Sequence, residues 1–296
     1  MKLAPQNKLD GVKEFEFTAH DFARVQAIIH KRAGIALTDT KQEMVYSRLA
    51  RRLRATGIAS FEQYLDELER GTDDAEWEAF TNALTTNLTS FFREAHHFPI
   101  LAELMRNVKA PITVWCSASS TGEEPYSIAI TACEVFGTLT PPVHIIATDI
   151  DTNVLNTAAN GVYAIDKIAK MSPERVRRFF LKGKGEQEGL VRIRPELRQI
   201  VTFKQLNLLA DNLPISGPFD AIFCRNVMIY FDKPTQGRIL TKFKPLLKPV
   251  GLLFAGHSEN FLYVSDAFTL RGKTVYQLAS AARQSEAGAA HMRNSL

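Results

Sequence analysis

Apolar residues recur at helical spacing over 15–85 and then, past residue 110, gather into short unbroken runs. The first pattern predicts an all-α domain and the second an α/β domain. Thr18 can cap a helix over 19–33, with Phe22, Val25, Ile28 and Ile29 on one face and Gly34 as its stop. A second helix follows Thr38 and runs to about 56, closed by Gly57, with Met44, Val45, Leu49 and Leu53 as its apolar stripe. A third begins after Ser60, and a fourth spans 75–84 behind the acidic turn at Asp73 and Asp74.

Two adjacent aromatics, Phe91 and Phe92, stand among small polar residues before a helix over 95–107. They suit a linker that tucks two rings under the next domain as well as they suit a functional segment. A buried strand over 112–116 then leads into a small-residue turn that carries Glu123 and Glu124. A helix over 125–136 and a second buried strand over 143–148 follow, ending at Asp149, which makes one βαβ unit. After a helix over 153–160 the simple repeat lapses. A capped helix over 174–180, a Gly/Lys turn and an alternating strand over 190–194 read as an inserted antiparallel β-subdomain at about 166–199. Strands at 200–204, 219–224 and 251–255, a helix over 235–247, and a closing pair near 267–270 and 274–278 resume the pattern. The expected organisation is an N-terminal tail (1–14), an all-α domain (15–85), a linker and helix (86–110) and an α/β domain (111–278). An Ala/Ser/Arg-rich tail over 279–296, without periodicity, is expected to be disordered.

Composition changes this picture little, since 45% hydrophobic and 23% charged residues are ordinary for a soluble globular chain. No signal-peptide core and no membrane-length apolar run is seen, so a cytoplasmic protein without membrane insertion is expected. Cys116, Cys133 and Cys224 lie in or beside apolar segments, and their spacing suits neither a disulfide framework nor a zinc site. They are read as reduced core residues, and no metal is expected. Charge distribution tells more. Residues 1–57 hold eleven Lys/Arg against six Asp/Glu, whereas 58–80 hold one against eight. Lys41, Arg48, Arg51, Arg52 and Arg54 spread over the exposed side of the second helix, as a solvated face or as a ridge that docks acidic partners. Residues 166–204 are basic too, with eleven Lys/Arg against five Asp/Glu.

A βαβ unit leaves a crevice at the carboxyl ends of its strands, where an acid at the tip of the second strand can hold a ribose diol. Asp149 stands there. Asn207, at the next strand end, is placed to meet an adenine amine, and the turn from Ser119 to Glu124 offers polar groups to an amino-acid moiety. The Gly-x-Gly-x-x-Gly of dinucleotide enzymes is absent, and no Gly-Lys-Ser/Thr follows the first strand, which excludes a P-loop. This order of strands resembles that of class I S-adenosylmethionine-dependent methyltransferases, whose Rossmann-like sheet closes with an antiparallel strand.

Four segments narrow the resemblance: 86–94 (TNLTSFFRE), 119–127 (SSTGEEPYS), 147–151 (ATDID) and 219–231 (FDAIFCRNVMIYF), with His257-Ser258-Glu259-Asn260 after the fifth strand. Together they resemble the chemotaxis receptor methyltransferase (CheR) family over about 15–278. The resemblance implies methyl transfer from S-adenosylmethionine to glutamate side chains of chemoreceptor cytoplasmic domains, with S-adenosylhomocysteine as product. By motif it implies cofactor contacts at Asn87, Thr89, Arg93, Glu124, Asp149, Asn207, Leu208, Arg225 and Asn226. It also implies that the inserted subdomain corresponds to one that in some members grips a receptor C-terminal peptide. Arg93 and Tyr230 are expected to orient the incoming carboxylate, because a guanidinium fork and a phenol can hold its oxygens without acting as nucleophiles. Arg48, Arg51, Arg52 and Arg54 become candidates for docking the glutamate-rich substrate. His257 and Cys224 are read as structural, since a carboxylate acceptor needs neither a base nor a protein nucleophile. Of the two adjacent acids, Glu124 is favoured for the cofactor and Glu123 for the helix N-terminus. A methyltransferase of another substrate, small molecule or nucleic acid, is the enzymatic alternative. A module that binds cofactor or receptor without catalysis is the other.

Overall fold

The computed structural model describes residues 13–71 and 73–282, so the expected tail over 1–14 lies mostly, and 283–296 wholly, outside the described residues. The chain forms two units, one holding the residues up to 31 together with 37–84, the other 32–36 and everything from 85 onward.

The smaller unit is helical. The first helix, α1 (Ala19–Ala33), starts at a reciprocal cap in which the Asp21 backbone N–H donates to Thr18 Oγ1 while Thr18 donates to the Asp21 carboxylate. A single 3-10 turn at Asp39–Lys41 precedes α2 (Gln42–Thr56). Next come α3 (Phe61–Arg70), capped by Ser60, and α4 (Asp74–Leu84). Val25, Ile29, Val45, Leu49, Leu53, Leu65 and Phe80 are completely buried, so the apolar stripes face one shared core.

The arginines of α2 depart from the expected open ridge. Arg52 is half-buried, and its Nε donates to Glu76 Oε1 at 3.0 Å and its Nη2 to Oε2 at 2.5 Å, while the Tyr64 hydroxyl donates to Oε1 at 2.6 Å. Arg54 is paired with Glu14, and Arg48 Nη1 donates to the carbonyl of Ala83 at 3.2 Å. Arg51 is exposed. The reason is packing, because α4 lies against α2 and brings Glu76 to Arg52 and the Ala83 carbonyl to Arg48, while Glu14, ahead of α1, reaches Arg54.

The larger unit runs α5 (His97–Asn107), β1 (Ile112–Cys116), α6 (Glu123–Phe136), β2 (Val143–Asp149) and α7 (Thr152–Asn160). The inserted stretch contributes β3 (Val162–Ala164), α8 (Pro173–Phe179), β4 (Phe180–Lys182), β5 (Leu190–Ile193) and α9 (Pro195–Gln199). It is followed by β6 (Val201–Gln205), β7 (Phe219–Cys224), α10 (Lys233–Phe243), β8 (Leu247–Ala255), β9 (Phe268–Gly272) and β10 (Val275–Leu278). Seven strands form one sheet in the order β6-β2-β1-β7-β8-β10-β9, parallel through β8 and antiparallel at β10 and β9. Helices cover both faces, which is why β7 is buried at every position and reads in sequence as an apolar run broken only by Asp220, whose buried carboxylate meets Lys248 Nζ at 2.8 Å.

A separate antiparallel sheet, β3-β5-β4, makes up the small subdomain. Its first strand begins at Val162, ahead of the insertion expected from 166, because β3 follows α7 after only the left-handed Gly161. The helix expected to reach 247 stops at Phe243, and Pro245, which has no N–H to donate, sits in the 3-10 turn that leads into β8. Residues 279–282, expected to be disordered, continue from β10 as one helical turn. No described helix is long and apolar enough to cross a membrane.

Candidate active site

Parallel strands end together, and here the ends of β1, β2 and β7 gather the polar residues. The turn after β1 is tight. Ser120 takes a positive φ of 47° and Gly122 one of 97°, and the Ser119 N–H donates to the Thr148 carbonyl at 2.8 Å, fastening the turn to β2. At the tip of β2, Asp149 Oδ2 accepts from the Ser120 N–H at 2.8 Å and Oδ1 from the Asp151 N–H at 3.1 Å. Burial pushes its carboxyl above the usual carboxylate range, against the pull of those backbone donors. Ser119 Oγ is buried beside it without a partner among the described residues.

Asp151 caps α7 by accepting from the N–H groups of Asn153 and Val154, and its other oxygen accepts from Asn87 Nδ2 at 2.8 Å. The Asn87 carbonyl in turn accepts from Ser120 Oγ at 3.0 Å. The segment ahead of α5 is thereby stitched to the β1 and β2 tips. Phe91 and Phe92 pack against the core as the linker reading expected, and Arg175 stacks over Phe92 at 4.3 Å. Arg93 is partly buried and its Nη1 donates to the Leu88 carbonyl at 2.8 Å.

The two acids at the start of α6 diverge. Glu124 Oε2 meets Arg225 Nη1 at 2.6 Å, while its Oε1 accepts from the Cys116 thiol at 3.0 Å. Glu123 turns away to Thr121 Oγ1 at 2.6 Å and Lys167 Nζ at 3.4 Å. Burial, reinforced by the Glu124 charge, pushes the Cys116 thiol up and keeps it a donor. Burial raises Cys224 likewise, which removes it as a nucleophile.

Arg225, at the tip of β7, is 5% exposed and is the centre of this end. It pairs with Glu124, lies 3.5 Å from Glu94 Oε2, and donates to the Arg93 carbonyl. Asn226 has a φ of 57° and donates through Nδ2 to Glu94 Oε1 at 3.3 Å. Tyr230 is partly buried, with its carbonyl accepting from the Ala36 N–H at 2.8 Å. Asn207 is less open than its position suggested: Nδ2 donates to the Arg32 carbonyl at 2.7 Å and Oδ1 accepts from the Leu209 N–H at 2.9 Å. Leu208 is buried beside it, and Thr89 is half-buried.

Glu94 and Glu259 complete the site although no role was expected of either. Glu259 is 4% exposed and accepts from the backbone N–H groups of Asn226, Val227, Met228 and Gly256, clamping the loop after β8 to the loop after β7. Its signal in the sequence was an acid inside the 257–260 motif. Glu94 likewise closes the 86–94 motif, but its bonds to Asn226 and His257 span more than 130 residues and could not be read from it.

The chain matches two family models, "CheR methyltransferase, SAM binding domain" over residues 87–277 and "CheR methyltransferase, all-alpha domain" over residues 20–85. It is 54% identical over 258 residues to a chemotaxis protein methyltransferase of Escherichia coli, covering 87% of this chain and 90% of the relative. A Salmonella typhimurium protein of the same name is 56% identical with the same coverage. Chemotaxis protein methyltransferase 2 of Pseudomonas aeruginosa is 51% identical over 272 residues, 91% of this chain and 96% of the relative. Likeness at this level over both units, together with both domain models, places the chain in the CheR family of S-adenosylmethionine-dependent methyltransferases.

Proposed function

We propose that the protein transfers the methyl group of S-adenosylmethionine to glutamate carboxylates of chemoreceptor cytoplasmic domains, forming methyl esters. The observation that carries the reading is the Arg225 node. Segments 86–94, 119–127 and 219–231, far apart in the chain, meet through one buried guanidinium, and Asp149 with Asn87 adds the fourth. The residues fit the cofactor. Asp149 keeps unused acceptor capacity for ribose hydroxyls, Ser119 Oγ is an unpartnered buried hydroxyl, and Glu124 offers a carboxylate toward an amine. Asn87, Thr89, Arg93, Asn207, Leu208, Arg225 and Asn226 complete the proposed contacts. For Asn207 and Asn87 much of the side chain already binds the protein, so backbone groups supply part of the contact.

Bound S-adenosylmethionine supplies a methyl group made electrophilic by its sulfonium sulfur. The acceptor carboxylate is ionised at neutral pH, and its oxygen forms the O–CH3 bond as the S–CH3 bond breaks and the electron pair returns to sulfur. No proton moves, so no general base is required. The protein's part is alignment and exclusion of water. Arg93 and Tyr230 hold the incoming carboxylate in line. Asp149→Ala should weaken S-adenosylhomocysteine binding by about 1.5–3 kcal/mol, or about 10- to 150-fold, in titration calorimetry. Unchanged affinity would remove Asp149 from the ribose site.

The acceptor region is acidic and helical, which suits the basic face of α2. Arg51 is an exposed charge of that face, so Arg51→Glu should slow methylation several-fold at low ionic strength and the difference should shrink with added salt. Rates equal to those of the parent at low salt would return the face to a solvated role. Arg48, Arg52 and Arg54 contribute less, because their guanidinium groups already serve partners in the same unit. The β3-β5-β4 sheet leaves β4 as an edge with unpaired backbone groups, and a receptor C-terminal peptide can add to it as a further strand. Such a protein works in the cytoplasm.

A further inference from the structure

Glu94 follows Arg93 and takes no direct part in the scheme above. Its side chain is 9% exposed, with hydrogen bonds at Oε1 and only charge contacts at Oε2 among the described residues. Oε1 accepts from Asn226 Nδ2 at 3.3 Å and from the His257 backbone N–H at 3.2 Å, with His257 Nδ1 also 3.2 Å away. Oε2 faces Arg225 Nη2 at 3.5 Å and His97 Nδ1 at 3.8 Å. Burial alone would raise the Glu94 carboxyl, but Arg225 and the donors of His257 and Asn226 hold its pKa at about 2. Burial, with Arg225 nearby, pushes His97 down to about 4, so its ring is neutral at physiological pH. Glu94, His96 and His97 lie close enough to suggest a metal site. Arg225 stands against the same oxygen and already brings the positive charge a metal would supply, so no metal is assigned.

We propose that Glu94 is a positioning residue for methyl transfer: its carboxylate ties Arg225 and Asn226 to the loop after β8 and so fixes the 88–93 segment in register with Glu124. The inference rests on the assignment of Arg93, Glu124, Arg225 and Asn226 to the cofactor. All four connect through one node. Arg225 and Asn226 touch Glu94 directly, Arg93 adjoins it in sequence and accepts from Arg225 through its carbonyl, and Glu124 pairs with Arg225. The backbone points the same way. Phe92 and Glu94 take φ values of 53° and 54°, a region that side-chain-bearing residues enter only where their surroundings impose it. The Phe92 N–H donates to Ser127 Oγ at 2.9 Å on one side of Arg93, and the bonds to the Glu94 carboxylate hold the other side.

The test is Glu94→Gln, which keeps the shape and removes the charge. S-adenosylhomocysteine affinity by calorimetry should weaken about tenfold and kcat at saturating cofactor and receptor should fall about tenfold, as for one lost charge-assisted bond. The receptor KM should stay within about twofold, and the melting temperature of the ligand-free protein within about 3 °C, of the parent values. Affinity and kcat both within about twofold of the parent would overturn the proposal, as would losses matched by a large fall in melting temperature. Should this variant fail to fold, His257→Phe at an exposed position removes a side-chain partner of Glu94 and should lower kcat about two- to threefold at unchanged receptor KM. An unaltered kcat there would overturn it too. The calorimetric arm needs no receptor, so a wrong acceptor assignment shows as absent methylation in the parent protein while the affinity difference persists.

Discussion

Arg225→Met should be the most damaging single change at this site, lowering stability by about 3–5 kcal/mol and the melting temperature by on the order of 10 °C. The guanidinium is buried between Glu124 and Glu94, and its removal leaves two buried carboxylates without their counter-charge. Methionine fills much of the volume, so the loss reads the charges rather than a cavity. Cofactor binding should be lost with it, because the Arg93 carbonyl and Glu124 lose the group that holds them together. Acid titration supplies a second signature. The folded-state pKa of Glu94, about 2, lies below the ordinary 4.5, so its stabilisation is present above pH 4.5 and lost as the pH falls through 2. Arg225 is the main source of that depression, so the variant should show a shallower stability change across this window. A variant as stable as the parent, melting at the same temperature at pH 7, would mean that the node holds nothing together.

Arg93→Ala should lower kcat by about 100-fold or more while the melting temperature changes little. Arg93 is partly buried on a loop, and its guanidinium donates to the Leu88 carbonyl, a contact within the same loop, so little stability depends on the side chain. Its proposed work is done in the reaction, where the acceptor carboxylate must lie in line with the methyl group. Arg93→Lys should recover only a small part of the rate, because an ammonium lacks the planar fork that orients two oxygens. Tyr230→Phe should cost less, about tenfold, as one neutral donor is lost. Initial rates of label transfer at saturating cofactor measure all three, and near-normal turnover in Arg93→Ala would remove it from the alignment scheme.

Much of this fold is local in origin, and that part was legible in the sequence. β1 and β7 have the expected bounds because a strand covered on both faces is a mostly apolar run, here with only Thr113 and Asp220 interrupting, and has turn residues at its ends. Capping chemistry likewise placed α1, α3 and α8 within a residue or two. α6 begins two residues before the expected 125, since a proline is tolerated in a first helical turn. What escaped is tertiary pairing. Nothing near Arg52 in sequence announces Glu76, and nothing near Arg225 announces Glu94, yet these pairs decide which arginines are open to a partner and which hold the site. Asn207 shows the same limit from the other side. Its position at a strand end was readable, but the carbonyl of Arg32 that occupies its amide comes from the far end of the chain. The Glu259 clamp falls between these cases, because its motif was visible while its four backbone partners were set by the meeting of two loops.

Esterification of receptor glutamates is the reaction proposed for this site. Incubating the protein with S-adenosylmethionine labelled on its methyl group and membranes rich in chemoreceptors tests it most directly. The label should enter the receptor band and leave as methanol under mild base, as a glutamyl methyl ester must. Label that resists base, or that enters nucleic acid or small molecules instead of the receptor, would contradict the account.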